Sequence, residues 1–332
     1  MNTMKSALFI VTSPLQLLCA AEAFKYYKIG KATLVVKYGG NDVSNNMLRD
    51  MLLEYPLWNA TYIITKEKSL RETYKTVRAL RGEKYNLVLN AEFNAWFQNI
   101  LIANIKYNKR VIFDDGVMTL NDYRVYFEPR IASSKSHLEK ELLLRVLGIS
   151  KFRPNQFDEI ELFTMFDLSP TPHVSVVENR FSQTTYYRKK ITSDSNAPTG
   201  ILGQPLVEAG IVSEDYYLKC LQKLSKNGKA YYFPHRAESK ENIQKWLSLA
   251  NLKLIEDDRP IEISITSYKV SSIVGFISTA LKTLSLLYPK LNIQFIRTPD
   301  DEFLTEKFRI NARNTYAQYK GEKVSEIKLD IH

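Results

Sequence analysis

Residues 6–12 read Ser-Ala-Leu-Phe-Ile-Val-Thr (SALFIVT), and Ser13-Pro14-Leu15-Gln16 follows at once. The run is apolar with little alternation, the pattern of a strand buried on both faces of a parallel sheet. Pro14 suits the first turn of a helix, where no N–H is needed. Leu15, Leu18, Ala21, Ala23 and Phe24 give that helix an apolar side, and Gly30 ends the unit. The same strand–turn–helix then recurs. ATLVVKY (32–38) is a strand, Gly39-Gly40-Asn41-Asp42 a turn and 44–54 a helix; TYIITK (61–66) is a strand and 69–82 a charged amphipathic helix. YNLVLNA (85–91) precedes the helix WFQNILIANI (96–105), and KRVIFDDG (109–116) is a fifth strand ending in a turn. Alternation of this kind predicts a doubly wound parallel sheet. Ligands of such sheets lie beyond the carboxyl ends of the strands. Thr12-Ser13, Gly39-Gly40, Asn90-Ala91 and Asp114-Asp115 therefore share one rim.

Residues 120–195 are less regular, with a helical stretch at 135–148, strands, and the aromatic, basic piece TTYYRKK (184–190). TSDSNAPTG (192–200) has linker composition, and beyond it the α/β pattern restarts. GILGQP (200–205) is a strand and turn, SEDYYLKCLQKLSKNG (213–228) a helix with a Ser cap and a closing Gly, and KAYYFPHR (229–236) a strand and turn. The helix ESKENIQKWLSLA (238–250), the strand LKLIE (252–256), the segment PIEISIT (260–266), a strand–turn–helix over 270–289 and the strand LNIQFIR (291–297) complete the reading. A chain of 332 residues exceeds one ordinary core, so two domains are expected: 1–191, a linker at 192–199, and 200–332. Two Rossmann-like domains facing a cleft is the GT-B plan.

The apolar run after Lys5 is too short to span a bilayer and Ser13-Pro14 interrupts it, so it reads as a core strand rather than a leader, and no other segment is long and apolar enough to cross a membrane. The two cysteines, Cys19 and Cys220, fall in apolar helices and are expected as buried free thiols. No Cys/His cluster suggests zinc. A net charge of +10 admits nucleic acid, an anionic membrane surface or a polyanionic substrate as partner. The absence of any zinc finger, RNP motif or recognition-type basic helix makes nucleic acid the weakest of these.

Three places carry chemistry. Phe113-Asp114-Asp115-Gly116 ends a strand on the ligand rim. Neighbouring strand residues point to opposite faces, so one acid can face ligand while the other braces the loop; a solvated turn is the other reading. Of four histidines, His137 lies in a charged helix, His173 in a Pro-rich loop and His332 at the terminus. His235 instead ends a strand next to Arg236, a pair suited to an anionic phosphate leaving group, unless the ring merely caps the strand. Ser278-Thr279 opens an apolar helix, where hydroxyls and free N–H groups can bind phosphate, though an ordinary N-cap is the commoner use of Ser.

Together these places make the chain resemble the bacterial lipooligosaccharide sialyltransferases of glycosyltransferase family 52 and the related bacterial polysialyltransferases. The resemblance runs through Ser13-Pro14-Leu15-Gln16, Asp114-Asp115-Gly116, Ile201-Leu202-Gly203-Gln204-Pro205, the histidine of Pro234-His235-Arg236, and Ser278-Thr279. Two departures stand out. The family's His-Pro is here Pro234-His235, and the aspartate some members carry after the Gly-x-Pro turn is replaced by Pro205-Leu206-Val207-Glu208. The resemblance implies an inverting transferase moving sialic acid or a related nonulosonic acid from a CMP-activated donor to a glycan hydroxyl of lipopolysaccharide or capsule, with no cofactor and no metal. It implies an acceptor-side first domain with Ser13 and Gln16, and a donor domain with Gly203, Gln204, Pro234, Arg236, Ser278 and Thr279. His235 would serve the leaving group, and Asp115, Asp114 or Glu208 would be the base. It also implies a cytoplasmic enzyme held at the inner membrane, with Tyr186 to Lys190, Lys307 and Arg309 as a cationic, aromatic surface. A glucosyltransferase using another nucleotide sugar, and a non-catalytic sugar or nucleotide binder, remain the alternatives.

Overall fold

The computed structural model describes residues 4–132, 137–150, 160–183, 191–319 and 324–329. The chain divides into two compact units, Met1–Thr184 and Thr185–His332. The stretch 184–190, expected as a cationic surface, lies outside the described residues. Within the expected linker, Ser193 Oγ accepts from Asn292 N at 2.7 Å and Asp194 N donates to Val270 O at 3.0 Å.

The first unit holds seven strands: β1 (Lys5–Val11), β2 (Ile29–Lys37), β3 (Ala60–Ile64), β4 (Lys84–Asn90), β5 (Lys106–Phe113), β6 (Ile160–Thr164) and β7 (Val174–Glu178). All pair in parallel in the order β3-β2-β1-β4-β5-β6-β7. The chain runs outward from β1 through β2 to β3, then returns to β4 on the other side, so the loops leaving β1 and β4 diverge and open a crevice. Leu8, Ile10, Val35, Val88, Phe97 and Ile100 form the main apolar cluster, and Phe93, Ile112, Phe127 and Leu162 a second. Burying each such side chain is worth about 1.5–3 kcal/mol relative to exposure.

The second unit holds β8 (Gly200–Leu202), β9 (Ala230–Phe233), β10 (Leu252–Leu254), β11 (Ile273–Gly275), β12 (Ile293–Ile296) and β13 (Val324–Ile327), parallel in the order β10-β9-β8-β11-β12-β13. Its switch point falls between β8 and β11. Ile201, Tyr217, Tyr232, Trp246 and Phe276 pack as its core. Both units are Rossmann-like, and the fold is GT-B. Cys19 and Cys220 are buried free thiols.

In 260–266, to which the sequence reading gives no element type, Ile263 N and Ser264 N both donate to Pro260 O at 2.8 Å, and the segment coils into the short helix Ile261–Ser264 and a 3-10 turn Ile265–Ser267. Pro260 fixes the entry to that turn, and the backbone closes locally instead of joining a ladder. Past 297, where the sequence reading assigns nothing, lie the helix Glu306–Ala317 and β13.

Candidate active site

The carboxyl edge of the first sheet gathers four polar side chains from three loops. Ser13 is the N-cap of the helix Pro14–Tyr26, its Oγ accepting from Gln16 N at 3.3 Å. That cap sets Gln16 in the first turn, buried and pointing back over the end of β1. Gln16 Oε1 accepts from Thr12 N at 2.8 Å, with Thr12 Oγ1 3.1 Å away. With its oxygen fixed, the amide nitrogen faces outward and bridges two carboxylates: Asp115 Oδ1 at 2.7 Å and Glu92 Oε1 at 3.4 Å. Glu92 Oε1 accepts two further bonds, from Thr12 Oγ1 at 2.7 Å and Gln98 Nε2 at 3.2 Å. Behind this lies a buried chain. Asn90 Nδ2 donates to Gln98 Oε1 at 2.9 Å, and Arg110 Nε donates to Asn90 Oδ1 at 2.9 Å. The Arg110 guanidinium stacks over Phe93, with its centre 5.1 Å from the ring centroid, and Nη2 is buried with no partner among the described residues. Burial lowers its pKa to about 10.

The two adjacent aspartates occupy different surroundings. Asp114 is fully buried, Oδ1 accepting from Thr164 Oγ1 at 2.6 Å and Oδ2 from Met165 N at 2.8 Å. It ties β5 to the end of β6. Burial pushes its pKa up to about 7 against the lowering effect of these bonds. Asp115 is half-buried, meets Gln16, and its backbone N–H donates to Thr119 Oγ1 at 2.9 Å. Gly116 follows with φ +64°, a left-handed conformation that glycine adopts freely, and the chain turns there. A carboxylate with a raised native pKa binds its proton more tightly when folded, so its contribution is full below about pH 4 and fades as pH rises through 7. The wild-type melting temperature is thus expected to fall between pH 5 and 8, and Asp114→Asn to flatten that slope. An unchanged slope by differential scanning fluorimetry would rule Asp114 out as its source.

On the second unit, three adjacent strands deliver the predicted residues to one edge. Gly203 and Gln204 follow β8, Pro234 to Arg236 follow β9, and Ser278 follows β11. Gln204 is buried and staples two of these loops, Oε1 accepting from Phe276 N at 2.8 Å and Nε2 donating to Ile277 O at 2.6 Å. Its own N–H donates to the Tyr217 hydroxyl at 3.1 Å, which lies 3.1 Å from the Tyr232 hydroxyl. Tyr232 in turn donates to Glu238 Oε1, and Glu238 Oε2 accepts from His235 N at 2.6 Å. Glu238 thereby anchors the His235 turn; burial raises its pKa to about 7.

His235 Nδ1 accepts from Ala237 N at 3.1 Å. An accepting Nδ1 places the proton of the neutral ring on Nε2. Desolvation by the loop around the ring, and then the Arg236 charge, lower the imidazole pKa, with Glu208 acting in the opposite sense. The residue's outer edge stays exposed to solvent. Ser278 caps the helix Thr279–Leu287, Oγ accepting from Ala280 N at 3.2 Å. Tyr319 clasps the same residue, accepting from Ser278 N at 3.2 Å and donating to Ser278 O at 2.8 Å. Glu208 is engaged elsewhere: its Oε1 accepts from Ser239 N and Asn242 Nδ2, both at 2.9 Å, at the start of the helix Lys240–Leu249.

Gly203 has no room for a side chain. A Cβ there would lie 2.2 Å from Glu238 Oε2 and 2.8 Å from the Tyr232 hydroxyl, both locked in the network just described. Gly203→Ala is expected to cost about 1–3 kcal/mol, the usual penalty of overpacking. Gly82→Ala, with nothing within 4 Å, is the control. Melting followed by circular dichroism compares the two variants, and equal midpoints would refute the clash.

Sequence reasoning missed Glu92, Glu238, Tyr232 and Tyr319. Glu92 lies two residues beyond a strand end on the ligand rim, the one available signal; the others look like core or helix residues.

The alpha-2,8-polysialyltransferase (POLYST) family matches residues 7–297, a span that takes in most of the first strand, both acidic residues, His235 and Ser278. The chain belongs to this family. This polysialyltransferase-family chain is a glycosyltransferase. Solved structures agree on the fold: TcCGT1 in complex with UDP (TM-score 0.53, 7% identity, covering 98% of this chain and 86% of that one) and the glycotransferase of kitacinnamycin (0.53, 8%, 98% and 87%). UDP-GlcNAc 2-epimerase from Neisseria meningitidis bound to UDP-GlcNAc gives 0.50 and 16%, covering 96% and 86%. No curated protein matches the chain. No helix of the described residues is long and apolar enough to cross a membrane.

Proposed function

We propose that this glycosyltransferase moves sialic acid or a related nonulosonic acid from a CMP-activated donor to a glycan hydroxyl, with inversion and without a metal. Two observations, one on each unit, support the reading: a half-buried carboxylate aimed by Gln16 on the first, and on the second an imidazole with Nδ1 occupied, in a loop next to a serine-capped helix start. Asp115 takes the proton of the attacking hydroxyl. The new bond forms at the anomeric carbon as the bond to the CMP phosphate oxygen breaks. His235 Nε2–H, Arg236 and the donors around Ser278 and Thr279 receive the leaving phosphate. Asp114 braces the loop from inside, and Gln204 and Pro234 set the donor loops. The domain roles follow: acceptor on the first unit, CMP donor on the second. The acceptor is a lipopolysaccharide or capsular glycan, and the net charge of +10 favours residence at an anionic membrane.

The test is incubation with a panel of CMP-nonulosonates and UDP-sugars, with and without EDTA, read by mass spectrometry. Release of CMP together with a glycan product, unchanged by EDTA, is expected. Turnover of a UDP-sugar alone would replace the donor assignment, and binding without turnover of any donor would remove it.

A further inference from the structure

A cavity of about 370 Å³ opens on the first unit, beside the carboxylate network. Its walls include Thr12, Lys37, Tyr38, Glu92, Trp96 and Lys140. The volume lies at the lower end of small-molecule sites, which run about 300–1,000 Å³. Two features give it chemical direction. Glu92 has one oxygen spent and one unspent. Oε1 accepts from Thr12, Gln16 and Gln98, while Oε2 carries no hydrogen bond among the described residues. Three donors on one oxygen fix the rotation of the carboxylate, so Oε2 is an acceptor held in a set direction, on a residue of the cavity wall. The second feature is aromatic. Half-buried Trp96 opens a helix there, with His137 against its edge at 5.4 Å and Lys140 Nζ over the ring at 5.6 Å. Lys37 Nζ sits 4.3 Å from the centroid of Phe97. Cations from two elements thus lie against the aromatic residues within the same lining.

A carboxylate oxygen awaiting a donor, beside an indole wall, in a space for one ring, matches a pyranose: hydroxyls along its edge and apolar C–H groups on its face. We infer that this cavity seats a pyranose of the acceptor glycan, with Glu92 Oε2 accepting from a ring hydroxyl and Trp96 packing on the ring. Glu92 and Asp115 share the single amide nitrogen of Gln16. A sugar anchored through one hydroxyl on Glu92 is therefore registered with a neighbouring hydroxyl toward Asp115. Glu92 binds and orients; the proton goes to Asp115. The inference rests on the transferase reading above.

Glu92→Gln tests it with little change of shape. The amide oxygen keeps the bonds from Thr12, Gln16 and Gln98, and the outward position changes from acceptor to donor. Trp96→Leu removes the wall. Saturation-transfer NMR and titration on the full chain use lactose and 3′-sialyllactose as probes, without donor. The wild type should bind at least one of them, and each variant should weaken that binding about tenfold or more while melting as the wild type does. CMP affinity, measured by calorimetry on the same samples, should not move. Failure of the wild type to bind either sugar, or undiminished binding in Glu92→Gln, overturns the proposal. Absence of CMP binding with intact sugar binding would instead overturn the donor assignment and leave this one standing. Should Trp96→Leu prove unfolded, Glu92→Gln alone decides.

Discussion

His235→Ala is expected to lower turnover about 100-fold or more. The figure is that of removing one preorganised donor from a developing negative charge, about 10²–10³. The geometry says which atom is lost. Ala237 N–H occupies Nδ1, so the neutral ring presents Nε2–H outward, and the lowered pKa keeps the ring in that form near neutrality. The effect should fall on turnover rather than on acceptor binding, because the charge on the leaving phosphate grows only as its bond breaks. Steady-state kinetics on a variant with an unchanged melting temperature checks this. Near-normal turnover would reduce His235 to a link in the β9 turn.

Asp115→Asn should abolish measurable transfer, a fall of about 10³ or more, within the about 10²–10⁴ a positioned base supplies. The substitution is mild structurally. The asparagine oxygen still accepts from Gln16 Nε2, so the edge network stays closed. CMP affinity should be retained, since Asp115 belongs to the first unit. Glu208→Gln is the companion. Glu208 already accepts from Ser239 N and Asn242 Nδ2, and its amide version should transfer within a few-fold of wild type. A dead Glu208→Gln beside an active Asp115→Asn would move the base to the second unit.

The two sheets were legible because parallel strands buried on both faces must be apolar throughout, and 6–12, 32–38 and 85–91 are. That rule gave no element to 260–266, where isoleucines alternate and Pro260 closes a local turn. Gln16 could be placed near a rim from Ser13-Pro14, since a cap and a first-turn proline fix its position. Its partners could not. Glu92 reaches Gln16 only because β4 lies next to β1, a pairing of residues 80 positions apart that no local pattern encodes. Glu238 looked like a charge opening a helix, whereas the helix starts at Lys240 under a Ser239 cap and the glutamate turns inward to Tyr232. The aspartates were separable in principle from strand alternation, but which one faces inward depends on Thr164 and Met165 from β6 and its exit, again a tertiary matter.

Arg110 gives the first unit a cation that dissolved ions do not reach. Its guanidinium is sealed against Phe93 and linked through Asn90 and Gln98 to Glu92. Counter-ions screen exposed charges over about 10 Å at 0.1 M salt but act weakly on buried ones. The exposed lysines and arginines that make up most of the chain's +10 are subject to that screening; Arg110 is not. Raising ionic strength should therefore weaken whatever the surface charge attracts while leaving the field at Glu92 and Asp115 nearly constant, so that salt acts on contacts made by exposed charges far more than on the behaviour of the carboxylates.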